Sequence, residues 1–519
     1  MSSQSRSLPE RPSLRFLKLE ARERLAAGEF ATLHEAQLAI AREHGQPSWA
    51  ALKRLVESRP APGSPAPNGH ALDQVRWVLT RFAGADGPGW TAPAEDELAE
   101  HLEPRFLEQV PPLLISEALS RRAGLLRGEL AVLDDAPLAV RARTGGVQIE
   151  ATATAEPPHR LTMLRVFPVG DLVTDDRVTA PPVQVAGEVP AAVAEVAETV
   201  FGELGLAGLV LAGTGLADTG PTGGRDWVVA RGWADLDRAE ALRPGHRFPV
   251  WSVAKLVTAI AVLRLVADGR VGLDEPANRY LGSVRLASEA VTVRELLAHT
   301  GGVDSPKLFA DRVPELADLT GPVMACPGER GTFRYSSGGY AALGALVGEV
   351  TGMAYADAAT RLVLAPLGMT GASFPDRAPG QDGEDGEDAV TGYLLDAEGG
   401  SFRPVPARAS VCTMPAAGGL WATAGDLVRL GAGWRSLLPG ELAREAVTPQ
   451  VSRAPMEGQM GLGWILNTDR EVAGHFSAGP GGSASLITRG GAGGLVAVAV
   501  TSRTVPIEPV AARVIRAMA

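Results

Sequence analysis

Two cysteines, Cys326 and Cys412, are all the thiols in this 519-residue chain. A pair cannot build a disulfide framework or a cysteine-ligated zinc site, and it reads as two reduced thiols of a cytoplasmic protein. Lysine is as scarce. Lys18, Lys53, Lys255 and Lys307 are the whole set, so arginine supplies nearly all positive charge and each lysine is informative. No basic cluster occurs, and the formal net charge is −11, which argues against a nucleic-acid or anionic-membrane surface. No run approaches the ~18 apolar residues of a membrane span. The opening stretch "MSSQSRSLPERPSLRF" has no apolar core of a secretion signal, so the expected location is the cytoplasm. Neither H-x-H-x-D nor H-E-x-x-H appears, which argues against a zinc hydrolase. The acidic run "GQDGEDGEDAV" does not fit a calcium-binding loop and reads as solvated, so no metal site is expected.

What is present divides at proline-rich joints. Residues 1–58 read as short helices, among them "TLHEAQLAIAREHG" with Thr32 and Glu35 as a capping box. A linker covers 59–70. Residues 71–172 give helices first and strands after, an α+β domain. Its order of elements is similar to that of NTF2/cystatin-like domains. His101, Glu150 and His159 are candidates to line a pocket there, although solvated surface is the simpler reading. A second joint covers 173–188. From 189 to 519, the helix "AAVAEVAETVFGEL" precedes the strands "GLVLAGTG" and "DWVVARGWADL", a helical middle, a terminal hairpin and a last helix. Such a sheet takes strands from both ends around a helical insert, an α/β (α+β) arrangement whose junction is a natural cleft.

"FPVWSVAKLVTAIAVL" holds the main chemical signal. The run from Leu256 is apolar on every side, as in a buried helix. Yet Lys255 stands at its start, three residues after Ser252, and a lysine is almost never buried unless paired or uncharged. Residues i and i+3 share one face of a helix. Burial and the positive end of the helix favour a neutral amine, and a serine beside such an amine is an activated nucleophile. Alone, S-x-x-K is weak, because it arises by chance.

Two more stretches follow: "PGERGTFRYSSGGYAALGAL", with Tyr335 and Ser337 as Y-x-S, and "VAGHFSAGPGGSASL", with His475 before a glycine-rich turn. The order S-x-x-K, Y-x-[NS], [KH]-x-G resembles the serine β-lactamase superfamily, closest to its class C-like branch of carboxylesterases and D-alanyl-D-alanine carboxypeptidases. "VADGRVGLDEPANRYL", "VRELLAHTGGV", "LVLAPLGMTGASF", "AAGGLWATAGDLVRL" and "MGLGWIL" add to the resemblance across about 190–519. It implies a penicillin-binding-protein-like domain, an antiparallel sheet flanked by helices with a helical subdomain. It implies Ser252 as the acyl-enzyme nucleophile, Lys255 as its proton partner, and Tyr335 as shared base and leaving-group acid. Ser337 stands where asparagine is commoner. The amides of Ser252 and Ala478 form the implied oxyanion hole. His475 replaces a lysine, and Ser477 stands where the pattern wants glycine, so Ser477 and the bulky Phe476 are expected to narrow the cleft or re-aim Ala478. His299, in "AHTGG", is not assigned catalysis, since no G-x-S-x-G nucleophile elbow exists for it to serve.

The expected protein is a serine hydrolase of small-molecule esters, without a cofactor. β-Lactamase, D-alanyl-D-alanine carboxypeptidase-type amidase and acyltransferase activities remain alternatives, as does a non-catalytic binding protein on the same scaffold. The expected partner is a small ester or amide, with no nucleic acid and no membrane. The N-terminal segments are candidates for covering the cleft, for oligomerisation or for partner binding.

Overall fold

Strand β-propensity at opposite ends of the C-terminal region is satisfied by one sheet. The computed structural model describes residues 69–518 apart from interruptions, the longest at 110–114, 169–174, 215–225, 378–387, 396–400 and 406–410; of residues 1–68 it describes positions 24, 30, 37 and 39–41. Most of the helices expected over 1–58, most of the 59–70 linker and most of the acidic run lie outside the described residues.

The first core belongs to α1 (His70–Phe82) lying on a four-stranded antiparallel sheet, β1 (Ala131–Ala136), β2 (Ala139–Thr144), β3 (Val147–Ala153) and β4 (Leu161–Pro168), in that spatial order. Alternation explains its two faces. Val147, Ile149, Ala151 and Ala153 of β3 pack with Val75, Val78 and Phe82 of α1, while Gln148, Glu150 and Thr152 face the other way. Of the three candidate pocket residues, His101 and His159 both rest on α1, and Glu150 stands apart on the other face of the sheet. His101 stacks on Trp77 and bonds Gln74 through Nδ1 (2.8 Å), and His159 stacks on His70. Glu150 lies mid-sheet opposite Arg141 and Arg165, and burial pushes its carboxyl up.

The larger sheet carries β5 (Val183–Ala186), β6 (Gly208–Thr214), β7 (Asp226–Asp235), β8 (Val451–Ser452), β9 (Gln459–Met460), β10 (Ile465–Asn467), β11 (Val472–Gly479), β12 (Gly482–Arg489) and β13 (Leu495–Thr501). Its order is β8-β9-β10-β11-β12-β13-β6-β7-β5. The terminal strand β13 thus pairs antiparallel with β6, closing the sheet across the helical insert. One expectation is corrected here. The joint at 173–188 is not all linker, because Val183–Ala186 pairs with β7 as the edge strand. The prolines at 181 and 182 precede it, as proline is tolerated at the start of an edge strand.

The two faces of this sheet hold different layers. Leu209, Leu211, Ala497 and Ala499 face α2 (Ala191–Leu204) and the C-terminal helix Glu508–Met518. Val210, Ala212, Leu486 and Val498 face the insert, where α3 (Ala254–Ala267) runs through the centre of the main core. All of α3 from Ala254 to Leu263 is buried, which accounts for its unbroken apolar sequence.

An arginine ties the described end of the joint to the larger region. Arg177 bonds Asp175 through Nε (2.8 Å) and Nη2 (2.6 Å), pairs with Asp237, and donates to the Phe402 carbonyl. Asp175 also accepts from the Phe402 amide (2.9 Å). The Arg177 guanidinium holds the Asp175 carboxyl down at about 2. A carboxyl depressed by folding stabilises the fold above its unfolded value and loses that contribution as pH falls through its folded value. Stability is therefore expected to drop between about pH 4 and pH 2, and Asp175→Asn should flatten that part of the profile in denaturant titrations.

Candidate active site

The site is assembled at the start of α3. Trp251–Val253 forms a 3-10 turn that continues directly into Ala254–Ala267, so Ser252 stands in the tighter turn and Lys255 in the first α-helical turn. Lys255 is fully buried. Its Nζ donates to Ser252 Oγ (3.2 Å), Ser337 Oγ (3.2 Å) and the Ala417 carbonyl (2.7 Å). It also lies over the rings of Tyr335 (5.0 Å) and Tyr340 (5.6 Å). A lysine is tolerated in the interior where acceptors and aromatic faces surround it.

The carbonyls come from a short helix, Pro415–Gly418. The last carbonyls of any helix lack partners within it. Here Ala417 accepts from Lys255, and Ala416 accepts from Thr258 Oγ1 (2.6 Å). Thr258 has one hydroxyl proton and spends it on Ala416, so the Tyr355 hydroxyl at 2.7 Å is the donor to Thr258. The two buried polar residues of this helix, Lys255 and Thr258, are thus served by one turn of backbone. Sequence reasoning missed Ala417, because a carbonyl leaves no mark in residue type.

Ser337 opens α4 (Ser337–Thr351), and Ser336 caps it by accepting the Gly339 amide (2.9 Å). Ser305, also missed, accepts the amides of Ser337 (2.9 Å) and Gly338 (3.1 Å). Tyr335 precedes the cap and is 39 % exposed. His299 lies beneath it, its ring 4.3 Å from that of Tyr335 between centroids.

β11 forms the opposite wall. It joins β12 through the two-residue loop Pro480-Gly481, so Gly479 and Gly482 flank the turn as a hydrogen-bonded pair. Bonding alternates along an antiparallel ladder, which turns the amide of Ala478 to the other edge. β10 covers that edge only along Val472–Gly474, so the Ala478 amide lies beyond its ladder, and the Trp251–Val253 turn packs on β11. A Cβ on Gly479 would come within 2.7 Å of the Trp251 indole, so this approach requires glycine. Trp251 itself has φ +43°, left-handed backbone that strains a bulky residue, directly before Ser252.

The pleat separates the two side chains expected to narrow the cleft or re-aim Ala478. Ser477 is buried and donates to the Val250 carbonyl (2.8 Å), tying β11 to the residue that precedes the turn. Phe476 points to the opposite face, against the layer of α2 and the C-terminal helix. Phe476 is thereby off the face of β11 that carries His475, while Ser477 stays on it.

His475 is buried on the Ser477 face, its ring 6.2 Å from that of Tyr335. Its Nδ1 lies 3.0 Å from the Phe476 carbonyl, which only accepts, so Nδ1 carries the proton and Nε2 is a bare acceptor. Burial, then the charge of Lys255, pushes His475 down to about 3, so the imidazole is neutral. The same causes lower His299 well below the usual histidine range. Among the described residues no group of three or more His, Cys, Asp or Glu is arranged to hold a metal ion, and no helix is long and apolar enough to cross a membrane.

The sequence matches the Beta-lactamase family over residues 211–518. Protein flp of Staphylococcus aureus (strain NCTC 8325 / PS 47) is 30% identical over 156 residues, 28% of this chain and 31% of that protein. Esterase EstB of Burkholderia gladioli is 31% identical over 237 residues, 38% of this chain and 60% of that protein. The chain therefore spans about a third of the first relative's length and three fifths of the second's. The penicillin binding protein from Bacillus halodurans superposes with a TM-score of 0.50 at 21% identity, covering 62% of this chain and 98% of that one, a likeness of fold.

Proposed function

This chain belongs to the β-lactamase family, and on that footing we propose that it is a serine hydrolase that forms an acyl-enzyme at Ser252 and cleaves esters of small molecules. The observation that carries the reading is the contact between the buried Lys255 Nζ and Ser252 Oγ, at 3.2 Å. The Ala417 carbonyl can only accept, so it always takes one N–H of Lys255. In the amine form the second N–H goes to Ser337 Oγ, and the lone pair is left for the Ser252 hydroxyl proton. Lys255 then receives that proton as Ser252 Oγ attacks the ester carbonyl. The amides of Ser252 and Ala478 hold the developing oxyanion. Tyr335, whose ring lies 5.0 Å from Lys255 Nζ, protonates the departing alkoxide and is reprotonated by the proton that Lys255 took from Ser252, and water then attacks the acyl-enzyme to release the acid and restore the Ser252 hydroxyl.

Esters are favoured over β-lactams and C-terminal peptides by His475. Those substrates present a carboxylate, and a neutral imidazole offers it no positive charge where a lysine would. The relative named as an esterase, similar over part of its length, supports the same choice.

The test is intact-mass analysis after incubation with a fluorophosphonate, alongside turnover of 4-nitrophenyl butyrate. A single adduct that disappears in Ser252→Ala, together with ester turnover, is the expected result. A wild-type protein that takes no label would overturn the enzymatic reading in favour of a binding protein on this scaffold.

A further inference from the structure

We propose that His299 is a positioning residue, which sets the orientation of Tyr335 and the start of α4 without touching substrate. The inference rests on the function proposed above and adds a residue to it. His299 is buried, and it stands in left-handed backbone (φ +60°) that a non-glycine residue adopts only when its surroundings over-determine it.

Those surroundings are the segment that carries Tyr335 and Ser337. The Ser336 amide donates to His299 Nδ1 (3.0 Å), and the Arg334 amide donates to the His299 carbonyl (2.8 Å). One residue on, the Gly331 amide donates to the Thr300 carbonyl (2.8 Å). Two residues back, the Leu297 carbonyl accepts from the Tyr340 hydroxyl (2.9 Å). The turn at 297–300 therefore grips 331–340 at four points, two of them on His299 and flanking Tyr335.

The imidazole does what a backbone grip cannot. It lies against the Tyr335 ring at 4.3 Å and 28°, and against Tyr340 at 4.9 Å and 33°. Nδ1 accepts a backbone N–H and so carries no proton, which fixes the tautomer and the ring plane. A ring held in that plane leaves Tyr335 one face to rest on, while Lys255 lies over the same tyrosine at 5.0 Å. His299 hydrogen-bonds neither Ser252 nor Lys255 among the described residues, so it acts through Tyr335.

Two variants separate the two holds. His299→Phe keeps a stacking ring and loses the acceptor. His299→Asn keeps a carbonyl acceptor, suits the left-handed backbone, and loses the stack. Each is made in the native and the Tyr335→Phe background, and the second-order rate of Ser252 labelling by a fluorophosphonate is measured by intact mass. In the native background, His299→Phe is expected to slow labelling about 30-fold and His299→Asn about 5-fold, and in Tyr335→Phe both effects shrink below about twofold, because coupled residues are not additive. Equal slowing in both backgrounds would mean a general structural role and would overturn the inference alone. Native labelling rates in both single variants would overturn it as well. Absence of any label on the wild-type protein overturns the proposed function and this inference with it.

Discussion

Lys255→Met is expected to lower kcat/KM for 4-nitrophenyl butyrate by about 10³-fold, within the range a positioned proton-transfer group contributes. Methionine is of similar length and apolar, and it suits a site bounded by the rings of Tyr335 and Tyr340. What it cannot do is accept the Ser252 proton or donate to Ala417. The orphaned Ala417 carbonyl should cost about 1–3 kcal/mol of stability, so thermal or denaturant unfolding must accompany the kinetics. Lys255→Arg distinguishes charge from proton transfer. A guanidinium stays protonated and can restore the field but not the base. Arginine should therefore be as inactive as methionine. Activity within about tenfold of wild type in the arginine variant would mean that Lys255 acts by its charge, and the proton-acceptor role would be wrong.

The second large effect comes from a backbone approach. A Cβ on Gly338 would sit 1.7 Å from the Asp304 carbonyl oxygen and 2.9 Å from its carbon, both backbone atoms that no rotamer change can clear. Gly338→Ala must push the 304–305 turn away from the start of α4, breaking the bonds from the Ser337 and Gly338 amides to Ser305 Oγ. Overpacking together with two lost hydrogen bonds amounts to about 3 kcal/mol or more. Because Ser337 and Tyr335 ride on that helix start, Ser252 labelling should slow in the same variant. The neighbouring Gly339→Ala is the control. Its nearest atoms would be Ser336 Oγ at 3.5 Å and a Leu296 methyl at 3.6 Å, ordinary contact distances. It should be neutral or stabilising by up to about 1 kcal/mol, as alanine replaces glycine within a helix. Denaturant midpoints of the two variants read the difference directly. Equal destabilisation would mean that the 304–305 turn does not abut α4 as described.

The two substitutions also mark where sequence reading stops. Lys255 stands out in the chain because a scarce, charged residue interrupts an apolar run, and burial of α3 is written in that run. Gly338 is one glycine among many, and nothing local separates it from Gly339. Only the turn that folds over it from Asp304 does so.

Residue order alone was enough to read the family and the class of fold. The three motifs, their order, and the alternating strands at both ends of the C-terminal region follow from residue type and period, which are local properties. Tertiary structure alone decided which groups meet. Ala417 reaches Lys255 from 162 residues away through a backbone carbonyl that any residue would possess. The pleat of β11, fixed by its pairing with β12, sends Phe476 away from the site and spends the Ser477 hydroxyl on Val250. His299 comes to rest under Tyr335 because two turns remote in sequence share one set of backbone hydrogen bonds. Side-chain identity can be read from a string of residues. The direction of a carbonyl, the face of a strand and the plane of a ring are settled only when distant backbone closes around them.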